Sequence, residues 1–198
     1  MGLEGFPQQV TLRDGTQVTL VPLEPEQGKA LRDFYKSLPE DERQVLRDDV
    51  TTDGWCERFL KKVESREVVS LIAKQGQKIV AEGSLYRALY GWSRHVGEIR
   101  VSVSREHRRK HLGTELTRAL VHLATDLGIE KIIVQVVENQ VGARRTFERL
   151  QFHKEAVLPH HVMDLCGTKR DLLILANDVS QIWAAMEAMT SDFAPNQD

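Results

Sequence analysis

"RRKHLGT", Arg108 to Thr114, joins a strand-like run containing Val101 and Val103 to a long amphipathic segment. A strand that feeds a helix through a glycine-containing turn exposes unpaired N–H groups at the positive end of the helix dipole, and such a place binds anions. Arg108, Arg109 and Lys110 add charge-assisted donors, so main chain and side chains together could cradle a diphosphate. The competing reading is a solvated basic run.

Elements on both sides of this turn give it its context. Before it, Val96 to Ser104 alternates, with Ile99, Val101 and Val103 on one face and Glu98, Arg100 and Ser102 on the other. After it, Leu112, Leu116, Ala119, Leu120, Leu123 and Leu127 form a helical stripe that Gly128 ends. The apolar strand Ile132 to Val137 follows, then Asn139 as a helix cap and a helix with Ala143, Phe147 and Leu150 on one face.

Farther out, Val10, Leu12, Val18 and Leu20 alternate around Asp14-Gly15, a hairpin signature. Leu31, Phe34, Tyr35 and Leu38 mark a helix from Glu26 to Ser37, and Trp55, Phe59, Leu60 and Val63 a second from Asp53 to Ser65. Val68 to Lys74 and Ile79 to Leu89 read as strands joined at Gln75-Gly76-Gln77. The last third holds strands near Phe152 to Leu158 and Asp171 to Ala176, then a C-terminal helix bearing Val179, Ile182, Trp183, Met186 and Met189. That stripe docks on its own chain or on a second subunit, so a homodimer is one reading.

This order predicts an α/β (α+β) fold, a central mixed sheet with helices on its faces. We divide the chain into a domain at residues 1–178 and a C-terminal helix with a frayed tail at 179–198.

Composition narrows the function. Lys plus Arg total 27 against 29 for Asp plus Glu, a net charge of -2, so nothing global suggests nucleic acid or a membrane surface. A nucleic-acid binder built on Arg105 to His111 would rest on local charge alone. Cys56 and Cys166 match no metal-ligand spacing, no metal site is visible, and no apolar run spans a membrane; the expectation is a cytoplasmic protein.

The pattern Arg108-x-x-His111-x-Gly113 after a strand, then helix, strand, Asn139 and a helix ending in Leu150-Gln151-Phe152, resembles the GNAT superfamily of acyl-CoA-dependent N-acyltransferases across roughly residues 10 to 178. The resemblance implies a mostly antiparallel twisted sheet and acetyl-CoA as cofactor. Its diphosphate would be held by the turn from Arg108 through Arg109, Lys110, His111 and Gly113 to Thr114. The main chain around Val101 and Val103 would meet the acyl and pantetheine amides, where the family's strand splays from its neighbour; core packing is the other role of these valines. Asn139 would touch the pantetheine arm or serve only as a cap. Glu98 is the candidate base for a primary amine acceptor, or else an ordinary ion pair with Arg100.

Departures from the family pattern are equally specific. His111 stands where the turn usually has its first glycine, which costs about 1 kcal/mol if the backbone is left-handed there. Phe147 occupies the position of a proton-donating tyrosine, leaving Tyr86, Tyr90, His160 or His161 as stand-ins, and Gln151 replaces a glycine. The acidic run Glu40, Asp41, Glu42, Asp48, Asp49 and Asp53 favours a cationic acceptor, a small molecule or a protein lysine. The stretch from Leu12 to Gln27 loosely resembles domains that acetylate protein lysines. The second expectation is a catalytically weak acyl-CoA-binding regulatory module.

Overall fold

The computed structural model describes residues 5–44, 46–164, 166–182 and 184. Strands β1 (Gln8–Thr11) and β2 (Gln17–Pro22) form the expected hairpin, with Val10 opposite Val18. Gly15 takes a φ of 82°, and Asp14 Oδ1 accepts the Thr16 N–H at 3.1 Å. A 3-10 turn, Pro25–Gln27, leads into α1 (Gly28–Ser37). A short α2 (Glu40–Arg43), absent from the sequence reading, precedes α3 (Asp53–Glu64), whose Trp55 N–H is capped by Thr52 Oγ1 at 3.2 Å.

The expected hairpin β3 (Val68–Gln75) and β4 (Lys78–Arg87) comes next, then β5 (Val96–Val103), α4 (Leu112–Asp126), β6 (Lys131–Val137), α5 (Val141–Arg149), β7 (His153–Met163) and β8 (Lys169–Asp178). The eight strands form one sheet in the order β1-β2-β3-β4-β5-β6-β8-β7, and β5 with β6 is its one parallel pair. This is the mixed, mostly antiparallel sheet that the sequence predicts.

Two apolar layers hold helices to the sheet. On one face Leu112, Leu116 and Leu120 of α4, with Phe147 and Leu150, pack on Leu71, Leu85, Ile99 and Ile132. On the other, Leu31, Phe34 and Tyr35 of α1 and Trp55 and Phe59 of α3 cover Val68, Ile72 and Ile79. α4 ends as expected, with Gly128 at a φ of 69° and the Ile129 N–H reaching back to the Ala124 carbonyl at 2.9 Å.

Three local expectations are corrected. Gln140, not Asn139, stands at the N-cap of α5; its Oε1 accepts the Val137 N–H at 2.9 Å, and Asn139 is exposed one residue earlier. β7 continues past Leu158 to Met163, because a bulge at Pro159 and His160, φ 53°, interrupts the register without ending the strand. β8 likewise extends to both sides of the predicted span. At the C-terminus residues 179–182 are helical, with Val179 and Ile182 buried, whereas Trp183, Met186 and Met189 lie outside the described residues.

Candidate active site

β5 and β6 start as neighbours and then part. Their pairing covers Val96 with Lys131, Gly97 with Ile132 and Glu98 with Ile133, although β5 runs on to Val103 and β6 to Val137. The edge of β5 from Ile99 to Val103 that faces β6 therefore has no ladder partner on that side, which leaves main-chain groups for something else. Val101 and Val103 themselves are half-buried against the α4 layer, so their side chains pack; the Val101 backbone stays open toward β6, whereas the Val103 carbonyl accepts from Arg108 Nε at 3.0 Å.

The splayed strands point at the turn before α4. Ser104 begins a 3-10 turn, Arg105–His107, so β5 does not feed the helix directly. His107 was read as part of a basic run, but it is buried: Ser104 Oγ lies 2.8 Å from its Nδ1 and Gln75 Oε1 3.1 Å from its Nε2. Burial, then Lys110, holds its pKa below the ordinary histidine value. Arg109 and His111 both adopt left-handed backbone, φ 59° and 71°, so the departure at His111 does require the strained conformation that the first glycine would have relieved. Burial, and then Arg13, also lowers the pKa of His111, which favours the neutral ring.

The first bond that closes in α4 runs from the Glu115 N–H to the His111 carbonyl at 3.0 Å, so helix geometry leaves the N–H groups of Leu112, Gly113 and Thr114 open. At Gly113 a Cβ would meet only Val103 Cγ2, at 3.7 Å. The glycine thus opens space toward the outside of the turn rather than avoiding a clash within the chain. Open donors at the dipole's positive end, a left-handed backbone that turns successive N–H groups inward and a bare Gly113 together fit a diphosphate.

The side chains of the turn are arranged otherwise than expected. Arg108 donates from Nη1 to Glu42 Oε1 at 2.8 Å, from Nη2 to Glu42 Oε2, and from Nε to the Val103 carbonyl at 3.0 Å. Lys110 Nζ pairs with Asp14 Oδ2 at 2.8 Å, holding that carboxyl well below the usual range, and the Arg13 N–H bonds the Lys110 carbonyl at 3.3 Å. The N-terminal hairpin is therefore a buttress of the turn, which a local reading of the sequence could not show. Among the described residues, Arg109 makes no ion pair.

Glu98 lies at the last paired position, where the strands begin to part. Arg100 Nε donates to its Oε1 at 2.8 Å and Arg47 Nη1 to its Oε2 at 3.4 Å, so the ion pair with Arg100 foreseen from the sequence is present. Arg100 also lies over the Tyr86 ring, 3.9 Å from its centroid, and 3.8 Å from Asp48. Arg47, from the segment between α2 and α3, additionally bonds Gln135 of β6 and so spans the two strands. An open cavity of about 300 Å³ reaches Glu98, lined by Tyr86, Gly97 and Ile133 with the charged Lys62, Glu67 and Arg87 around it. Tyr90 and Trp92, 86% and 94% exposed, stand on the loop that forms its lip.

The acidic run is mostly consumed within the chain. Asp41 and Glu42 pair with Arg105, Glu42 with Arg108, Asp48 with Arg100 and Asp53 with Arg32. Glu40, Asp41, Asp48, Asp49 and Asp53 stay exposed, so the run is an acidic surface whose charge is largely offset by arginines of the same chain. Phe147 is in the core, edge-on to Phe152 at 5.4 Å between centroids, and Gln151 takes a φ of 63° where glycine would be unstrained. Tyr90, His160 and His161 are exposed, and Tyr86 lines the cavity.

One polar site escaped the sequence reading. Glu82 of β4 is 2% exposed and accepts from Tyr35 Oη at 2.8 Å, Ser70 Oγ at 2.7 Å and Ser84 Oγ. Burial raises its pKa against the lowering effect of these hydroxyls, and burial with Glu82 pushes Tyr35 far above the usual tyrosine range. The available signal was a lone carboxylate in an otherwise buried strand, with Ser84 two residues on.

A family model for "Acetyltransferase (GNAT) family" matches residues 29–152, which include both strands of the splay, the turn and α5. The chain belongs to the GNAT acetyltransferase family. Solved structures share its fold at low identity. A GNAT acetyltransferase from Streptococcus pneumoniae superposes with a TM-score of 0.70 at 17% identity, covering 81% of this chain and 99% of that one. A ribosomal-protein-alanine N-acetyltransferase from Brucella melitensis gives 0.70 at 16%, covering 80% and 98%. A candidate acetyltransferase from Salmonella typhimurium, solved with its cofactor acetyl-CoA, gives 0.68 at 18%, covering 82% and 94%. No curated protein matches the sequence. No helix among the described residues of this GNAT chain is long and apolar enough to cross a membrane, and no cluster of His, Cys, Asp and Glu among them could hold a metal ion.

Proposed function

We propose that this chain transfers an acetyl group from acetyl-CoA to a primary amine, on a small molecule or a protein lysine, by direct attack in a ternary complex. The observation that carries the reading is the parting of β5 from β6 immediately after Glu98, with the gap running toward the open N-terminus of α4. When bound, acetyl-CoA supplies an activated thioester carbonyl.

The chain's own groups divide the remaining work. N–H groups from Arg109 to Thr114 hold the diphosphate. The open edge of β5 at Val101 and the N–H of Val103 meet the pantetheine amides, and Asn139, exposed two residues past the end of β6, touches the pantetheine arm. An amine enters the cavity beside Tyr86 as ammonium and gives one proton to Glu98; the freed nitrogen lone pair bonds to the carbonyl carbon, and the second surplus N–H proton ends on the departed sulfur. The carbon–sulfur bond breaks, and the sulfur leaves as thiolate, a tolerable leaving group with an unperturbed pKa of about 8.5. The cavity wall sets Glu67 and Glu98 beside Lys62 and Arg87, so its charges balance and it does not select the amine by sign.

A catalytically weak acyl-CoA-binding regulatory module is the second reading. It is favoured by two observations: Phe147 carries no proton to donate, and both oxygens of Glu98 are engaged by arginine. Thiol release from acetyl-CoA over a panel of primary amines separates the two. We expect turnover with at least one amine and a loss of about 10²-fold or more in kcat/KM for Glu98→Gln. Acetyl-CoA binding without turnover on any amine would select the regulatory module.

A further inference from the structure

The main-chain donors of the turn are open, but its first side chain, Arg108, is already holding an anion. Glu42 of α2 is largely withdrawn from solvent, its side chain 12% exposed, and it receives both terminal nitrogens of Arg108 and the Nε of Arg105 at 3.3 Å. Arg108 is the first residue of the turn, and its remaining Nε is tied to the Val103 carbonyl at the end of β5. Its guanidinium fork is thus spent on a carboxylate in the bidentate geometry that also suits phosphate. That carboxylate would repel a second anion brought to the same turn.

We propose that Glu42 is an internal competitor for the diphosphate of the cofactor, so that cofactor binding displaces α2 from Arg105 and Arg108. The inference rests on the cofactor reading above. Its consequence reaches the acceptor side, because the segment that follows α2 carries Arg47, which bonds Glu98 and Gln135, and Asp48, which pairs with Arg100. While Glu42 keeps its place, Arg47 covers Glu98. Release of α2 at the phosphate end loosens Arg47 at the other and uncovers Oε2 of Glu98, while Arg100 stays on Oε1.

The test is isothermal titration of the whole chain, wild type and Glu42→Gln, with coenzyme A and with phosphate-free pantetheine. Competition predicts that Glu42→Gln binds coenzyme A about three- to fivefold more tightly, the size expected of a part-exposed ion pair, with pantetheine unchanged. Glu42→Asp, one methylene shorter, keeps the charge but loosens the fork and gives a smaller gain; it serves if the glutamine variant does not fold. Equal or weaker coenzyme A binding by the variants overturns the proposal, since a merely structural Glu42 would position Arg108 for the ligand. So does a parallel gain for pantetheine, which would mean general loosening. A wild-type chain that binds no coenzyme A would instead remove the cofactor reading itself, so the two failures are distinct.

Discussion

Two residues show how single positions are set by the chain around them. His111 holds a left-handed backbone at the start of α4, at a cost of about 1 kcal/mol relative to glycine, and the hairpin that bonds the neighbouring Lys110 keeps the turn in place. Glu82 is held by three hydroxyls in a site where burial outweighs them and raises its pKa. A carboxyl with a raised folded-state pKa adds stability that is complete below its unfolded value, about 4.3, and is lost as pH rises through the folded value. Glu82→Gln, which cannot ionise, should therefore raise the melting temperature more at pH 8 than at pH 5. Thermal unfolding at the two pH values checks this; an equal change at both would mean that Glu82 does not titrate differently in the folded state. The strain at His111 was legible in the sequence as a departure from the family's glycine, whereas the Glu82 site was not, because a lone glutamate in a strand does not say which hydroxyls the fold brings to it.

At the scale of elements, α4 is the piece on which the site depends. It lies so close over β4 that a Cβ on Gly83 would come to 3.0 Å from Leu120 Cδ1 and 3.6 Å from Leu116. Gly83→Val should cost about 1–3 kcal/mol of stability by overpacking, measured by urea unfolding, because the helix must lift or its leucines leave their rotamers. A neutral effect would show that the contact between α4 and the sheet yields easily. The helix itself was plain in the sequence, since its leucine stripe and Gly128 are local signals. The two-residue turn at Gly76 and the hairpin at Asp14-Gly15 were legible for the same reason. α2 was not: four residues with no apolar repeat carry no periodic signal, and the helix earns its place through Glu42, which meets Arg108 sixty-six positions away in the chain. The length of β7 was obscured by its place at the sheet edge, where nearly every side chain is exposed and no alternation marks a buried face.

Across the whole molecule, the sheet brings three regions to one opening: the splay after Glu98, the N-terminus of α4 and the cavity beside Tyr86. The order of elements was enough to expect a mixed sheet with helices on its faces, whereas the splay and its place before the turn came only with the resemblance to the GNAT family. The charge arrangement was not legible, because Asp14, Glu42, Arg47 and Asp48 come from distant segments and neutralise groups that seemed free. We assign the cofactor to the turn before α4. The most direct test of this assignment is isothermal titration of wild type and Gly113→Val with acetyl-CoA and with free coenzyme A. A Cβ at Gly113 would meet only Val103 Cγ2, at 3.7 Å, so the first added carbon is accommodated, and an unchanged melting temperature of the variant checks that the two branches of valine are as well. We predict micromolar binding of both ligands by the wild type and loss of both in the variant. No binding by the wild type, or equal binding by Gly113→Val, would contradict the claim.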